Sequence, residues 1–229
     1  MQQGGGSLVL LWSGHAVRSP VDGLRLLTRD SGDYDDDGLG VCSDVAATCA
    51  QSGAGQLLLI VDSCFSGEAV AAGELAARIM QRSPPEAAHV WVGVLTSCLP
   101  AEMARDGVFS QRLAELLADG PEAGLGTRAL LVQRWSPQSA YIRGDDLCDV
   151  VLKTWGSAAH RPDFLSRGSA WWMFPNPRYD RARRSRWWST CCGRPAAAPG
   201  RMSSPGSPGA ARRWARWWAG CGPVGRACM

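Results

Sequence analysis

The sequence contains no run of 18 uninterrupted apolar residues, so we expect no membrane-spanning helix. Its N-terminus, MQQGGGSLVLLW, lacks the basic start and the longer apolar stretch of a secretory signal peptide. The nine cysteines include no pair of C-x-x-C units, which argues against a zinc site. Together these absences predict a cytoplasmic protein with free thiols and no metal centre.

The charge of the chain is divided near residue 180. Over its 229 residues the net charge is only +3. Residues 1–180 carry 14 basic and 21 acidic side chains, whereas residues 181–229 carry 10 arginines and no acidic residue. The second segment also lacks leucine and isoleucine, but it holds five of the eleven tryptophans. We therefore predict a folded domain over 1–180, long enough for a sizeable core, and a separate tail over 181–229.

Three interpretations of the tail stay open. Arginine and tryptophan contact phosphates and stack on bases, so the tail fits a nucleic-acid-binding arm. The composition also fits a disordered extension, because it offers little to a hydrophobic core. Arg, Ala, Gly, Pro, Trp and Cys are moreover the residues that GC-rich DNA encodes when it is read out of frame. We prefer this third interpretation and do not expect nucleic acid as a partner.

Short apolar runs without alternation recur along residues 1–180. Leu8–Trp12, Leu57–Val61 and the segment HVWVGVLTSC are typical of strands covered on both faces. Amphipathic segments separate or follow them: SDVAATCAQSG with Ser43 as N-cap, GELAARIMQRS, FSQRLAELLADG and GDDLCDVVLKTW. Strands that alternate with helices predict an α/β sandwich, with a mostly parallel sheet flanked by helices.

Two of the predicted strands end in loops that carry reactive side chains. His15 follows the first apolar run, and the segment DSC, which ends at Cys64, follows the second. The carboxyl ends of parallel strands meet at one edge of a sheet, where sites are built. A nearby imidazole makes a thiol a useful nucleophile, since the free pKa of cysteine is about 8.5. The sequence therefore predicts a His15–Cys64 pair, against the alternative that Cys64 is one more buried, inert cysteine.

The segments WSGHA and LLLIVDSCFSG resemble the caspase-like cysteine endopeptidases, in particular the bacterial metacaspase or orthocaspase branch. Caspases place the histidine about 50 residues before the cysteine, and His15 precedes Cys64 in the same way. The segment VWVGVLTSCLPAEMARDGVFSQRLAELL is similar to the next strand and helix of the family, and the resemblance covers about residues 7–180. It implies a caspase-like three-layer sandwich that hydrolyses protein or peptide substrates.

The resemblance also implies a role for each matching residue. Cys64 would be the nucleophile, and His15 the general base that then protonates the leaving amine. The backbone N–H groups of Ala16 and Cys64 would form the oxyanion hole. Ser13 and Asp62 would line the S1 pocket, where a carboxylate selects an arginine or lysine side chain. The alternative for Asp62 is a carboxylate that caps a helix or braces a loop.

The sequence departs from the family pattern at three places. Ala16 replaces the usual glycine after the histidine, which matters if that position needs a positive φ. The family places two strands and a helix or two before the histidine strand, so the short start MQQGGGS implies either a misassigned start site or a truncated N-terminus. The tail begins where the family continues into further helix or an appended signalling module. The alternative to an active peptidase is therefore a catalytically inactive, truncated caspase-like module that acts only in binding.

The segment DYDDDGLGVCSD, from Asp33 to Asp44, matches part of the spacing of a calcium-binding loop. Metacaspases are often calcium-dependent, so the resemblance makes calcium the one cofactor to consider. Against it, the twelfth position is Asp44 instead of a bidentate glutamate, and Gly40 stands where an apolar residue is usual. A solvated acidic loop is the preferred interpretation, and we expect no cofactor.

Overall fold

The computed structural model describes residues 6–20, 23–31, 38–69, 72–82, 90–99, 102–103, 107–121, 134–156 and 160–180. The predicted tail over 181–229 lies outside these residues. Positions 1, 3 and 5 of the candidate calcium loop, which are Asp33, Asp35 and Asp37, lie outside them as well.

Nine strands and four α-helices make up the described part of the chain. The strands are β1 (Ser7–Ser13), β2 (Ala16–Ser19), β3 (Gly23–Leu26), β4 (Leu39–Gly40), β5 (Gln56–Asp62), β6 (Trp91–Thr96), β7 (Tyr141–Arg143), β8 (Asp163–Arg167) and β9 (Trp172–Pro175). The helices are α1 (Ala46–Ser52), α2 (Ala72–Arg82), α3 (Val108–Asp119) and α4 (Gly144–Thr154). None of these described helices is both long enough and apolar enough to cross a membrane.

The central sheet has the strand order β1-β5-β6-β8. β5 pairs in parallel with β1 on one side and with β6 on the other, as the three apolar runs predict. β8 adds an antiparallel strand beside β6, which the sequence patterns did not predict. Two smaller antiparallel sheets have the orders β2-β3-β4 and β7-β9. The fold is therefore mixed α/β with a mostly parallel central sheet and helices.

Alternate residues of β5 face two separate hydrophobic cores. Leu57, Leu59 and Val61 pack in a cluster with residues of α1, α2 and β3. Leu58 and Ile60 pack in a second cluster with residues of α3 and α4. All seven residues of β5 are buried, which explains why its sequence shows no alternation. Each fully buried Leu or Ile side chain contributes about 1.5–3 kcal/mol to folding.

The start of the first helical segment differs from the prediction. Ser43 was expected to cap α1, and this prediction is wrong, because a π-helical turn already begins at Val41. The residue before that turn is Gly40, which has no side chain that could cap it. Asp44 reaches back instead, and its Oδ2 accepts a hydrogen bond from the Gly40 N–H at 2.8 Å. The predicted end of α1 at Gly53 is confirmed, and this glycine has a φ of 64°.

The buried indole of Trp91 occupies space that two glycines leave open. Trp91 is 2% exposed and lies over Gly93 of its own strand and over Gly144 at the start of α4. A Cβ at Gly93 would lie 2.6 Å from the indole, and a Cβ at Gly144 would lie 2.5 Å from it. Carbon atoms in favourable contact are about 3.5–4.0 Å apart, so packing requires glycine at both positions.

Gly144→Ala should lower the free energy of unfolding by about 1–3 kcal/mol, because the added methyl group displaces the buried Trp91 indole. Gly156→Ala is the matched control, since a Cβ at that position meets no atom within 4 Å. Urea unfolding followed by tryptophan fluorescence measures both variants. Equal stabilities for the two would contradict this account of the packing.

Candidate functional site

The register of β1 against β5 places His15 and Cys64 at matching positions. Ser13, the last residue of β1, pairs with Asp62, the last residue of β5. The backbone N–H of Gly14 donates a further hydrogen bond to the carbonyl of Asp62 at 3.1 Å. His15 lies two residues after Ser13, and Cys64 lies two residues after Asp62. The prediction that both residues lie at the same edge of a parallel sheet is therefore confirmed.

The backbone of His15 is anchored, whereas the residue itself is exposed. Its carbonyl oxygen accepts a hydrogen bond from the Trp12 indole N–H at 3.3 Å and another from the Leu27 N–H at 3.0 Å. Leu27 directly follows β3, so the small antiparallel sheet holds the histidine loop from one side. These contacts fix the backbone of the loop and leave the imidazole on the surface.

Cys64 lies in a tight turn directly after β5 and is half-buried. The next residue, Phe65, has a φ of 58°, a conformation that costs a non-glycine residue about 1–2 kcal/mol. The Phe65 N–H donates to the carbonyl of Glu102 at 2.9 Å, and the Arg18 guanidinium lies 5.0 Å from the centre of the Phe65 ring. Contacts on both sides of Phe65 therefore hold the turn that presents the thiol.

A buried serine ties the cysteine turn to the end of β6. The Ser66 hydroxyl accepts a hydrogen bond from the Cys98 N–H at 3.2 Å and lies 3.3 Å from the Ser97 hydroxyl. The Cys98 thiol donates to the carbonyl of Ser63 at 3.5 Å. These roles were not predicted, although the segments DSCFSG and LTSC do place polar residues at the ends of neighbouring strands.

Asp62 is 5% exposed, and its carboxylate contacts α3. Its Oδ2 accepts two hydrogen bonds from Ser110, one from the backbone N–H at 3.1 Å and one from the hydroxyl at 2.5 Å. Ser110 is the third residue of α3, where the backbone N–H has no partner within the helix. Gly107, which precedes the helix, has no side chain that could cap the helix. Asp62 therefore caps α3, as the alternative interpretation of this residue expected, and its role in an S1 pocket stays a prediction.

The two remaining candidate residues lie on either side of His15. Ser13 is exposed and ends β1, beside Asp62. Ala16 is the first residue of β2, is 8% exposed and pairs with Leu26. Because Ala16 lies in an extended strand, without the positive φ that would favour glycine, its methyl group imposes no backbone strain.

The structure brings the predicted catalytic residues to one edge without joining their side chains. No hydrogen bond links the His15 imidazole to the Cys64 thiol, both of which the structure describes. In enzymes without a bound substrate such catalytic hydrogen bonds are often long and tighten only in the complex. That the two side chains act together in catalysis stays a prediction.

Burial separates Cys64 from the other cysteines that the structure describes. Cys42, Cys49, Cys98 and Cys148 are buried, and Cys64 is not. Burial raises the pKa of the Cys49 thiol to about 11 and also raises the pKa of Cys148 well above its usual value. A thiol with a raised pKa forms little of the reactive thiolate, so these core cysteines are expected to be inert.

The described residues contain no group of three His, Cys, Asp or Glu side chains that could hold a metal ion. Asp44, the last position of the candidate calcium loop, accepts the Gly40 hydrogen bond at the start of the π-helical turn. A cleft of about 630 Å³ lies between α3 and α4, and neither His15 nor Cys64 lines it. The two residues that were predicted to be catalytic therefore lie at the edge of the sheet and not in this cleft.

Comparison of the chain with models of known protein families, with curated proteins and with solved structures finds no match. Any functional assignment therefore depends on the residues themselves. The strongest of these observations is the alignment of His15 with Cys64 at the ends of paired strands.

Iodoacetamide should modify Cys64 at least about tenfold faster than Cys49 and Cys148 at pH 8, because Cys64 is accessible and the other two are buried thiols. Mass-spectrometric peptide mapping over a time course measures each site separately. Unfolding the protein in urea is the control, since it should bring the three rates together. Modification of Cys49 as fast as Cys64 in the folded protein would contradict the assignment.

Proposed function

We propose that this chain is a caspase-like cysteine endopeptidase in which Cys64 is the nucleophile and His15 the general base. The observation that supports it most is the register of β1 and β5, because it sets both residues two positions beyond the pair Ser13–Asp62. The segments WSGHA and LLLIVDSCFSG, which resemble the family, contain the same two residues. A cytoplasmic location would keep the thiol reduced.

In this proposal hydrolysis proceeds through an acyl-enzyme. His15 takes the proton of the Cys64 thiol, and the sulfur attacks the peptide carbonyl carbon. The resulting oxyanion accepts hydrogen bonds from the backbone N–H groups of Ala16 and Cys64. The imidazolium then gives its proton to the leaving amine as the C–N bond breaks. His15 finally takes a proton from water, which attacks the thioester and releases the acid and the thiol.

The proposal includes cleavage after arginine or lysine. Asp62 supplies a carboxylate at the end of β5, and Ser13 lies beside it in the paired strand. A carboxylate in a site with little exposure to water favours a cationic side chain over a neutral one. Protein or peptide substrates with a basic residue before the cleaved bond would therefore be preferred to those with aspartate.

A second candidate function is a catalytically inactive module that acts only in binding. The contact of Asp62 with Ser110 favours it, because that contact gives the carboxylate a structural role without any substrate.

A fluorogenic peptide with arginine before the cleaved bond should be hydrolysed by the wild type, and its aspartate counterpart should be a much poorer substrate. Cys64→Ala should reduce kcat/KM at least about 10³-fold, since it removes the nucleophile. His15→Ala should cause a loss of similar order, because the thiol loses its base. Initial rates of fluorescence increase measure all of these.

Cys49→Ala is the matched control, because it removes a buried cysteine of α1 that has no part in the proposed reaction and should keep the activity. Circular dichroism should show that each variant is folded. Folded wild type without turnover would favour the binding module. Turnover that survives Cys64→Ala would show that Cys64 is not the nucleophile.

A further inference from the structure

The first strand of the central sheet has an open side. Among the residues that the structure describes, β1 pairs with β5 and with no other strand. The backbone groups of a strand point alternately to its two sides, and Gly6 and Gly14 both bond toward β5, at 2.9 Å and 3.1 Å. The even-numbered residues of β1 therefore face β5. The odd-numbered residues direct their N–H and C=O groups to the open side: Ser7, Val9, Leu11 and Ser13.

The opposite edge of the sheet, β8, is protected against pairing. Trp91 and Ser97 bond toward β5, so the even-numbered residues of β6 and their odd-numbered partners in β8 face each other. Phe164 and Ser166 therefore face the open side of β8. The Phe164 N–H already donates to the Asp163 carboxylate at 2.8 Å, and the strand begins and ends with a charged residue. Proteins use charged side chains in this way to prevent an edge strand from accepting another strand.

β1 has none of these protections. Its seven residues, SLVLLWS, include no charged side chain and no proline. Leu8 and Leu10 pack against one core, and Val9 and Leu11 pack against the other. All four are nevertheless only half-buried, whereas every residue of β5 and β6 is buried. A strand with apolar side chains on both faces is typical of the interior of a sheet. β1 therefore has the composition of an interior strand at the position of an edge strand.

A second copy of β1 fits this edge. An antiparallel pair around a twofold axis at Leu10 sets Ser7 opposite Ser13 and Val9 opposite Leu11 of the other copy. These are the residues that face the open side, so every outward N–H and C=O group of β1 gains a partner. Leucine 10 meets its own counterpart, and apolar side chains lie opposite apolar side chains on both faces. Neither strand brings a charge into the contact.

We propose that β1 is a self-complementary interface through which two copies of this chain form a symmetric dimer with one continuous sheet. The assembly stops at two, because the twofold axis uses the same strand of both copies and leaves only the protected β8 edges outside. Ser13 ends β1 beside Asp62, so the start of the second β1 borders each candidate site. The inference does not depend on the proposed function, since the oligomeric state is measured without turnover.

Val9→Pro should raise the Kd of the dimer at least about tenfold. Proline removes an N–H that faces the open side and bonds to nothing in β5, and the twofold axis removes that bond twice. Sedimentation velocity over a series of concentrations measures the Kd. Ser166→Pro is the matched control, because it removes an outward N–H from the β8 edge and should leave the dimer intact. Circular dichroism should show that both variants are folded.

Two double variants test the register without a proline. Ser7→Glu with Ser13→Glu sets like charges opposite each other at both ends of the contact, whereas Ser7→Lys with Ser13→Glu sets opposite charges there. Both serines are exposed, so both proteins should fold. We expect the Kd of the first protein to be at least about fivefold higher than that of the second at low salt. The difference should shrink at high salt, because salt screens exposed charges.

Four outcomes would each overturn the inference. They are a wild type that stays monomeric at the highest concentration measured, an assembly that grows beyond the dimer, a folded Val9→Pro protein that dimerises as the wild type does, and equal Kd values for the two double variants. A monomeric wild type that binds an apolar peptide would assign the edge to another protein instead of a second copy. If Val9→Pro does not fold, the double variants decide.

Discussion

The parallel pairing of β1 with β5 is the constraint on which the candidate site depends. The pairing runs from Ser7–Gln56 to Ser13–Asp62 without a shift. Side chains of a strand alternate between two faces, so a slip of one residue would send every side chain of a strand to the wrong core. β5 is buried on both faces, so such a slip would force both close-packed cores to repack. The hydrophobic cores, and not any contact between the reactive groups, therefore set His15 level with Cys64.

Beyond the ends of the strands, polar contacts instead of sheet pairing hold the backbone in place. The positive φ of Phe65 costs free energy, and strained residues persist only where the surroundings determine their conformation. Here the surroundings are the carbonyl of Glu102, which accepts from Phe65, and the Cys98 N–H, which donates to Ser66. A net hydrogen bond contributes about 0.5–1.5 kcal/mol, so two of them are enough to offset the strain. The end of β6 thus supports the turn that carries Cys64.

Patterns that depend on burial were predictable from the sequence, and contacts between distant loops were not. The parallel strands and α2, α3 and α4 follow from apolar runs and helical spacing, and the sequence also placed His15 and Cys64 at one edge. β8 escaped prediction because its last three residues are exposed, so it shows no apolar run. The prediction that Ser43 is the N-cap is wrong because the neighbouring Asp44 supplies the contact at the helix start. The bond between Ser66 and the Cys98 backbone joins residues 32 positions apart, which no local pattern can show.

The two interpretations of Asp62 need not compete. Leu58, Ile60 and Asp62 lie on the same face of β5, and that face packs against α3 and α4. A carboxylate at the end of this face therefore meets the start of α3, where negative charge is favourable and Gly107 leaves the backbone N–H groups without a side-chain cap. A negative charge is favourable at the start of the helix, and it is also favourable for recognition of a cation. Capping α3 and the proposed specificity thus call for the same type of side chain at the end of β5.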